Sequence, residues 1–159
     1  MEKIGIISDT HDNIYAIKEA VKIFNEEEVD FVVHAGDIIS PFTANIFKEL
    51  NCKIFLIYGN NDGEKLFLKE KFSSIGRINN DPFEINLKKK KAIVTHKPEI
   101  VNALSLAYDI VIYGHTHEID KRRENALIIN PGECCGYLTG KKTIAILYPD
   151  IMDAKFIEF

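Results

Sequence analysis

Hydrophobic and polar positions change period in a regular way along this chain. Ile- and Val-rich runs of four to six residues fall within about residues 3–8, 31–35 and 52–58. Runs of that length and composition suit buried strands better than helices. Between the first two, Ile14, Ile17, Val21 and Phe24 are spaced for one face of a helix over about residues 13–27. Asp12 or Asn13 can cap its start. Ser40 before Pro41 marks a second helix start, since proline suits a first helical turn, and that helix reaches about residue 50. The series is βαβαβ, which predicts a parallel sheet with right-handed crossovers.

A helix over about residues 64–72 follows, and then the rhythm changes. Residues 83–87 and 91–95 read as two strands joined by a lysine-rich turn, Lys88 to Lys91, whose charges are expected to be solvated. A short helix near residues 100–106 precedes a strand over 109–113. The remainder reads as strands near 121–123, 126–129, 143–148 and 155–159, with Lys121, Arg122 and Arg123 facing outward. Parallel units followed by hairpins imply two sheets packed face to face with helices outside. No repeat, linker or low-complexity tract interrupts the pattern, so one domain spanning residues 1–159 is expected.

Composition narrows the function classes. The net charge of −4 argues against a general nucleic-acid or membrane-surface binder, which would normally be basic. No apolar stretch is long enough to span a bilayer. The N-terminus enters a strand directly, without a basic segment and signal-type core, so a cytoplasmic location is expected. Cys52, Cys134 and Cys135 lack a disulfide framework or metal-ligand spacing and read as free thiols.

The chemistry lies at the ends of the apolar runs. Five of them, KIGIISDTH, FVVHAGD, CKIFLIYGNN, KAIVTH and DIVIYGHTH, each end in residues able to bind a metal. Ligands of open α/β sheets gather beyond the carboxyl ends of the strands. Asp9, His11, Asp37, Asn60, His96, His115 and His117 are therefore expected on one rim, a group that includes four of the five histidines. In extended backbone, residues i and i+2 point the same way, so Asp9 and His11 would reach one ion. Carboxylate with imidazole suits a borderline divalent metal such as Mn, Fe, Co, Ni or Zn. Each piece alone has a bland reading: Gly36-Asp37 and Gly59-Asn60-Asn61-Asp62-Gly63 are ordinary turn strings, and His96 alone would be structural. Their coincidence at five strand ends favours a polynuclear metal site. His34, inside the second strand, reads as structural.

The series Asp9-x-His11, Gly36-Asp37, Gly59-Asn60-x-Asp62, His96 and Gly114-His115-x-His117 resembles the binuclear metallophosphoesterase superfamily. With Asn130-Pro131-Gly132 and the chain length, it resembles the small YfcE-like bacterial and archaeal phosphodiesterase branch in particular. The resemblance implies an α/β fold: a four-layer αββα sandwich of two mixed β-sheets flanked by helices. It also implies two divalent ions, manganese foremost, with nickel, cobalt, iron or zinc as alternatives. Asp9, His11 and His117 would hold the first ion, Asn60, His96 and His115 the second, with Asp37 between them. Asn61 and Asp62 are the expected catalytic residues beside them.

Two ions about 3.5–4 Å apart can share a hydroxide, orient a phosphoryl group and stabilise its transition state. Two divalent ions, the carboxylates of Asp9 and Asp37 and a bridging hydroxide leave one net positive charge, which attracts an anionic ester. The implied activity is hydrolysis of a small phosphodiester by that hydroxide. Many relatives carry histidine at the position of Asn61, and asparagine can donate a hydrogen bond but cannot act as a general acid. His96-Lys97-Pro98 also departs from the His-Gly-His common in the small phosphodiesterases, so Lys97 brings charge beside the substrate. A phosphomonoesterase is one rival reading. Another is a protein-interaction scaffold like the retromer subunit of this fold, although every ligand position is filled here. Among partners, a nucleic acid and a membrane are not expected, and a homodimer is plausible from relatives of similar size.

Overall fold

The computed structural model describes residues 1–87 and 89–159, so Lys88 of the lysine-rich turn lies outside the described residues. Two mixed sheets pack face to face. The first has strand order β11-β10-β1-β2-β3-β4, built from β1 (Ile4–Ile7), β2 (Phe31–His34), β3 (Lys53–Ile57), β4 (Gly76–Asn79), β10 (Thr143–Tyr148) and β11 (Asp153–Glu158). The second has order β5-β6-β7-β9-β8, from β5 (Phe83–Leu87), β6 (Lys90–Thr95), β7 (Ile110–Tyr113), β8 (Ile119–Arg123) and β9 (Leu127–Pro131). Helices α1 (Ile14–Glu26), α2 (Ala44–Phe47) and α3 (Lys65–Phe72) cover the first sheet, and α4 (Val101–Leu104) lies on the second. This is the expected α/β sandwich of two sheets with helices outside.

Alternation along the strands builds three apolar layers. In β1, Ile4 and Ile6 face the second sheet, where they meet Ile110, Ile112, Leu127 and Ile129, while Ile7 faces the helices. In β7, Ile110 and Ile112 face inward, whereas Val111 and Tyr113 pack under α4 with Val101. Period-two side chains require that split in any strand buried on both faces. At Gly5 a Cβ would lie 2.7 Å from the Phe24 ring, so the missing side chain lets α1 seat on β1.

Strands β1 to β4 run parallel in register, and β10 joins β1 antiparallel. In the second sheet β6, β7 and β9 are parallel. The pattern missed β4. Its sequence GRIN buries only Ile78 well, so an edge strand carries no alternation to detect. The helix expected to run from Pro41 to about residue 50 is instead a 3-10 turn, Pro41–Thr43, followed by α2. Asn13 caps α1 by accepting from Ala16 N at 3.2 Å, while Asp12 accepts from Ser40 N at 2.8 Å and ties two site loops together. Among the described residues no helix is long and apolar enough to cross a membrane.

Candidate metal centre

The carboxyl ends of β1, β2 and β3 in one sheet and of β6 and β7 in the other meet at one edge of the sandwich. Backbone bonds lash the first two ends together: Asp9 N donates to Gly36 O at 3.1 Å, and Thr10 N and His11 N donate to Asp37 O at 3.1 and 3.2 Å. Asp9 and His11 do not converge by strand alternation. β1 stops at Ile7, and the backbone turns left-handed at Asp9 (φ 52°) and His11 (φ 38°). Asp37, His115 and His117 are left-handed too, at 60°, 74° and 64°. Such conformations are sparsely populated by residues other than glycine and persist where surrounding structure enforces them.

Three imidazoles and two carboxylates close on a common point, with His115 and Asn60 paired beside them. His11 Nε2 lies 3.7 Å from Asp9 Oδ1 and 3.4 Å from Asp37 Oδ2. His96 Nε2 lies 3.9 and 3.3 Å from the same two oxygens. His117 Nε2 is 3.4 Å from Asp9 Oδ1. Asn60 Oδ1 and His115 Nδ1 are 2.8 Å apart, and the His115 ring stands 5.1 Å from that of His96. Asp37 Oδ2 thus sits between His11 on one side and His96 on the other.

The opposite ends of these groups are fixed by hydrogen bonds. Asp9 Oδ2 accepts from Ser8 Oγ at 2.6 Å and His115 N at 3.1 Å. His96 Nδ1 is 2.7 Å from Ala35 O, an acceptor, so Nδ1 carries a proton and Nε2 is left facing the carboxylates. Asp9 Oδ1, His11 Nε2 and His96 Nε2 remain buried without a hydrogen-bond partner. Unpaired buried polar atoms are costly and rare, and three around one point, all lone-pair donors, fit a bound divalent cation. The groups Asp9–His11–His117 and Asp9–Asp37–His96 each bring their ligand atoms within 4.8 Å of one another.

The field of the site is visible in its protonation preferences. Burial alone would raise the Asp37 carboxyl, but the His96 imidazole and the Asn61 donors outweigh it and hold Asp37 well below the usual range. The neighbouring Asp9 carboxylate raises His11; burial opposes, and Asp37 adds to the rise. His96 is raised by Asp37 and Asp9 in spite of its burial. His34 behaves differently. It is fully buried, its Nδ1 accepts from Gly36 N, its Nε2 faces Thr10 Oγ1 at 3.1 Å, and burial pushes it down to about 3. It stays neutral and supports the β2 end, which matches its structural reading.

Asn61 and Asp62 occupy the turn after β3. Asn61 N and Nδ2 donate to the two oxygens of Asp37 at 2.9 and 2.8 Å. The Asp62 carboxylate accepts from the backbone of Asp37, Ile38, Ile39 and Gly59 at 3.0, 2.8, 2.7 and 2.7 Å. Asp62 therefore locks the β2 loop against the β3 loop and does not face the ligand atoms. Beside Asn60, His96 and His115 opens a cavity of about 510 Å³, also lined by Tyr58, Lys65, Asn80, Asp81, Lys97, Pro98 and Glu99.

One residue of the site has no role assigned from the sequence. Glu133 is fully buried and its Oε2 is in short contact with His117 Nδ1. Burial would raise its carboxyl, but His117 and the Thr139 donors hold it down to about 2. It stands two residues beyond the carboxyl end of β9, which is parallel to β7. The strand-end rule would have found it had β9 been recognised as a further parallel end.

A family model, the calcineurin-like phosphoesterase superfamily domain, matches residues 2–151. A phosphodiesterase of Methanocaldococcus jannaschii is 46% identical over 153 residues, covering 91% of this chain and 92% of the relative. A probable metallophosphoesterase of Methanothermobacter thermautotrophicus is 31% identical over 143 residues, covering 81% and 75%. The solved structure of an archaeal phosphodiesterase superposes with a TM-score of 0.93 at 42% identity, covering 99% of both chains.

Proposed function

The chain belongs to the calcineurin-like phosphoesterase superfamily, and from that premise we propose that it is a metal-dependent phosphodiesterase with a binuclear centre. One observation carries the reading: Asp9 Oδ1, His11 Nε2 and His96 Nε2 are buried, unpaired and aimed at one point. Asp9, His11 and His117 would hold one ion, Asn60, His96 and His115 the other, and Asp37 would bridge them. When bound, the ion pair supplies Lewis acidity toward the phosphoryl oxygens and makes water acidic enough to serve as nucleophile near neutral pH.

The chain's own residues set the geometry. Asn61 fixes both oxygens of Asp37, and Asp62 fixes the backbone on which Asp37 stands. Side chains locked this way need no reorganisation when charge develops on the ester, the condition under which electrostatic stabilisation is strongest. The cavity beside Asn60, His96 and His115 receives one ester arm. Its lining of Lys65, Lys97, Asn80, Asp81 and Glu99 favours a polar arm over a lipid chain. No imidazole stands at the Asn61 position to protonate a departing alkoxide, so leaving-group basicity should limit turnover.

The supporting observations from relatives are the phosphodiesterase names of the Methanocaldococcus protein and of YfcE of Escherichia coli, the latter 25% identical over 152 residues. The test is hydrolysis of a panel of phosphomonoesters and phosphodiesters with Mn, Ni, Co, Zn or Mg, for the natural chain and Asp37→Ala. Diester cleavage that requires metal and is lost in a folded Asp37→Ala protein is expected. Metal-independent cleavage, or wild-type activity in the variant, would overturn the proposal.

A further inference from the structure

The loop that follows β9 has no part in the roles above, yet its first side chain touches a metal-ligating histidine. Glu133 is 0% exposed, a position carboxylates almost never occupy unless fully partnered. Its Oε1 accepts from Thr139 N at 2.6 Å, Thr139 Oγ1 at 2.7 Å and Leu138 N at 3.0 Å. Its Oε2 accepts from Cys135 Sγ at 3.3 Å and from Leu138 N at 3.2 Å, and meets His117 Nδ1. With N–H and O–H donors on one oxygen and N–H and S–H donors on the other, the carboxylate is acceptor on both sides. The proton of the short contact therefore sits on His117 Nδ1. A neutral imidazole so protonated has one lone pair left, on Nε2, and that atom is the one facing Asp9 Oδ1.

The loop itself is pinned to the first strand end. Cys134 N donates to Ser8 O at 3.0 Å, Cys135 N to Asp9 O at 3.1 Å, and Asn13 Nδ2 to Cys135 O at 2.8 Å. Asp9 and His117 are thus held by the same stretch, residues 133–139, one through its backbone and the other through Glu133. His117, Glu133 and Cys135 also lie close enough to hold an ion by themselves. The short His117–Glu133 contact uses the nitrogen such a site would need, so the pairing serves the neighbouring site instead.

We propose that Glu133 is a positioning residue for the first ion. It fixes the tautomer and ring direction of His117, and the turn from Leu138 to Thr139 holds Glu133 in place. The inference rests on the metal-centre reading above. Carboxylates bound to the outer nitrogen of a ligating histidine orient the ring and raise its basicity, and their loss typically weakens metal binding about 10–100-fold.

Calorimetric titration of the whole protein with manganese chloride separates the possibilities. The natural chain should bind two ions, and Glu133→Gln should weaken one binding event about 10–100-fold while leaving the other within about threefold. Absence of any manganese binding by the natural chain would sink the metal-centre reading itself. Two-site binding with unchanged affinities in Glu133→Gln would overturn the positioning role alone. Equal weakening of both events, with a lower melting temperature in chelator, would reduce Glu133 to a structural residue and also overturn it. Should Glu133→Gln not fold, nitrogen-15 NMR of the zinc-loaded natural chain decides: a proton on His117 Nδ1 supports the proposal, and its absence there refutes it.

Discussion

Gly59 and Gly63 bracket the turn that carries Asn60, Asn61 and Asp62, and they offer an internal comparison. A Cβ at Gly59 would lie 2.2 Å from Asp37 Oδ1 and 2.4 Å from Asp37 N, whereas one at Gly63 meets nothing within 4 Å. Neither glycine has a positive φ, so intrinsic backbone strain cancels from the comparison. Gly59→Ala must push the β3 end away from the Asp37 carboxylate, and overpacking of this kind costs about 1–3 kcal/mol. A displacement near 1 Å at a catalytic group can lower the rate about 100-fold. Gly63→Ala should be neutral or stabilising by about 0.4–1 kcal/mol, because alanine restricts the unfolded chain more than glycine does. Urea unfolding in chelator reads the first quantity, and manganese-supported hydrolysis of bis(p-nitrophenyl) phosphate reads the second. If Gly59→Ala matches Gly63→Ala in both, the close approach of β3 to Asp37 does not control the site.

Other consequences can be checked separately. Manganese at about 100 times its dissociation constant should add about 2.7 kcal/mol per ion to the unfolding free energy, and equal stability with and without metal would contradict ligation by the buried cluster. His34 titrates near 3 in the fold against 6.5 when exposed. Between those values the unfolded chain binds a proton that the native state refuses, so stability falls as pH drops below 6.5, by up to about 1.4 kcal/mol per pH unit. His34→Asn, measured in chelator, should show a correspondingly shallower slope there; parallel curves would remove the buried imidazole as the cause. Diesters with aryl leaving groups should turn over much faster than unactivated alkyl diesters, and comparable rates would reveal a general acid elsewhere in the site.

The strand pattern specified most of the architecture because each core strand is buried on both faces and reads as a continuous apolar run. The candidate ligand residues just past such runs were legible for the same reason: the parallel frame forces every carboxyl end to one edge. Five of the ends were found this way, while that of β9, carrying Glu133, was hidden because nothing local tells whether β9 pairs parallel or antiparallel with β7. The partners of loop side chains were not legible either. Asp62 is expected beside the ions, but only the packing of two loops reveals its partners, four backbone N–H groups aimed at its carboxylate. The left-handed backbone at Asp9, His11, Asp37, His115 and His117 runs against local preference and is imposed from outside each segment. Sequence alone determined which chemical groups stand at the edge of the sandwich, since periodicity is a local property. Which atoms face one another, and which are left unpaired for a cation, was decided by contacts between segments distant in the chain.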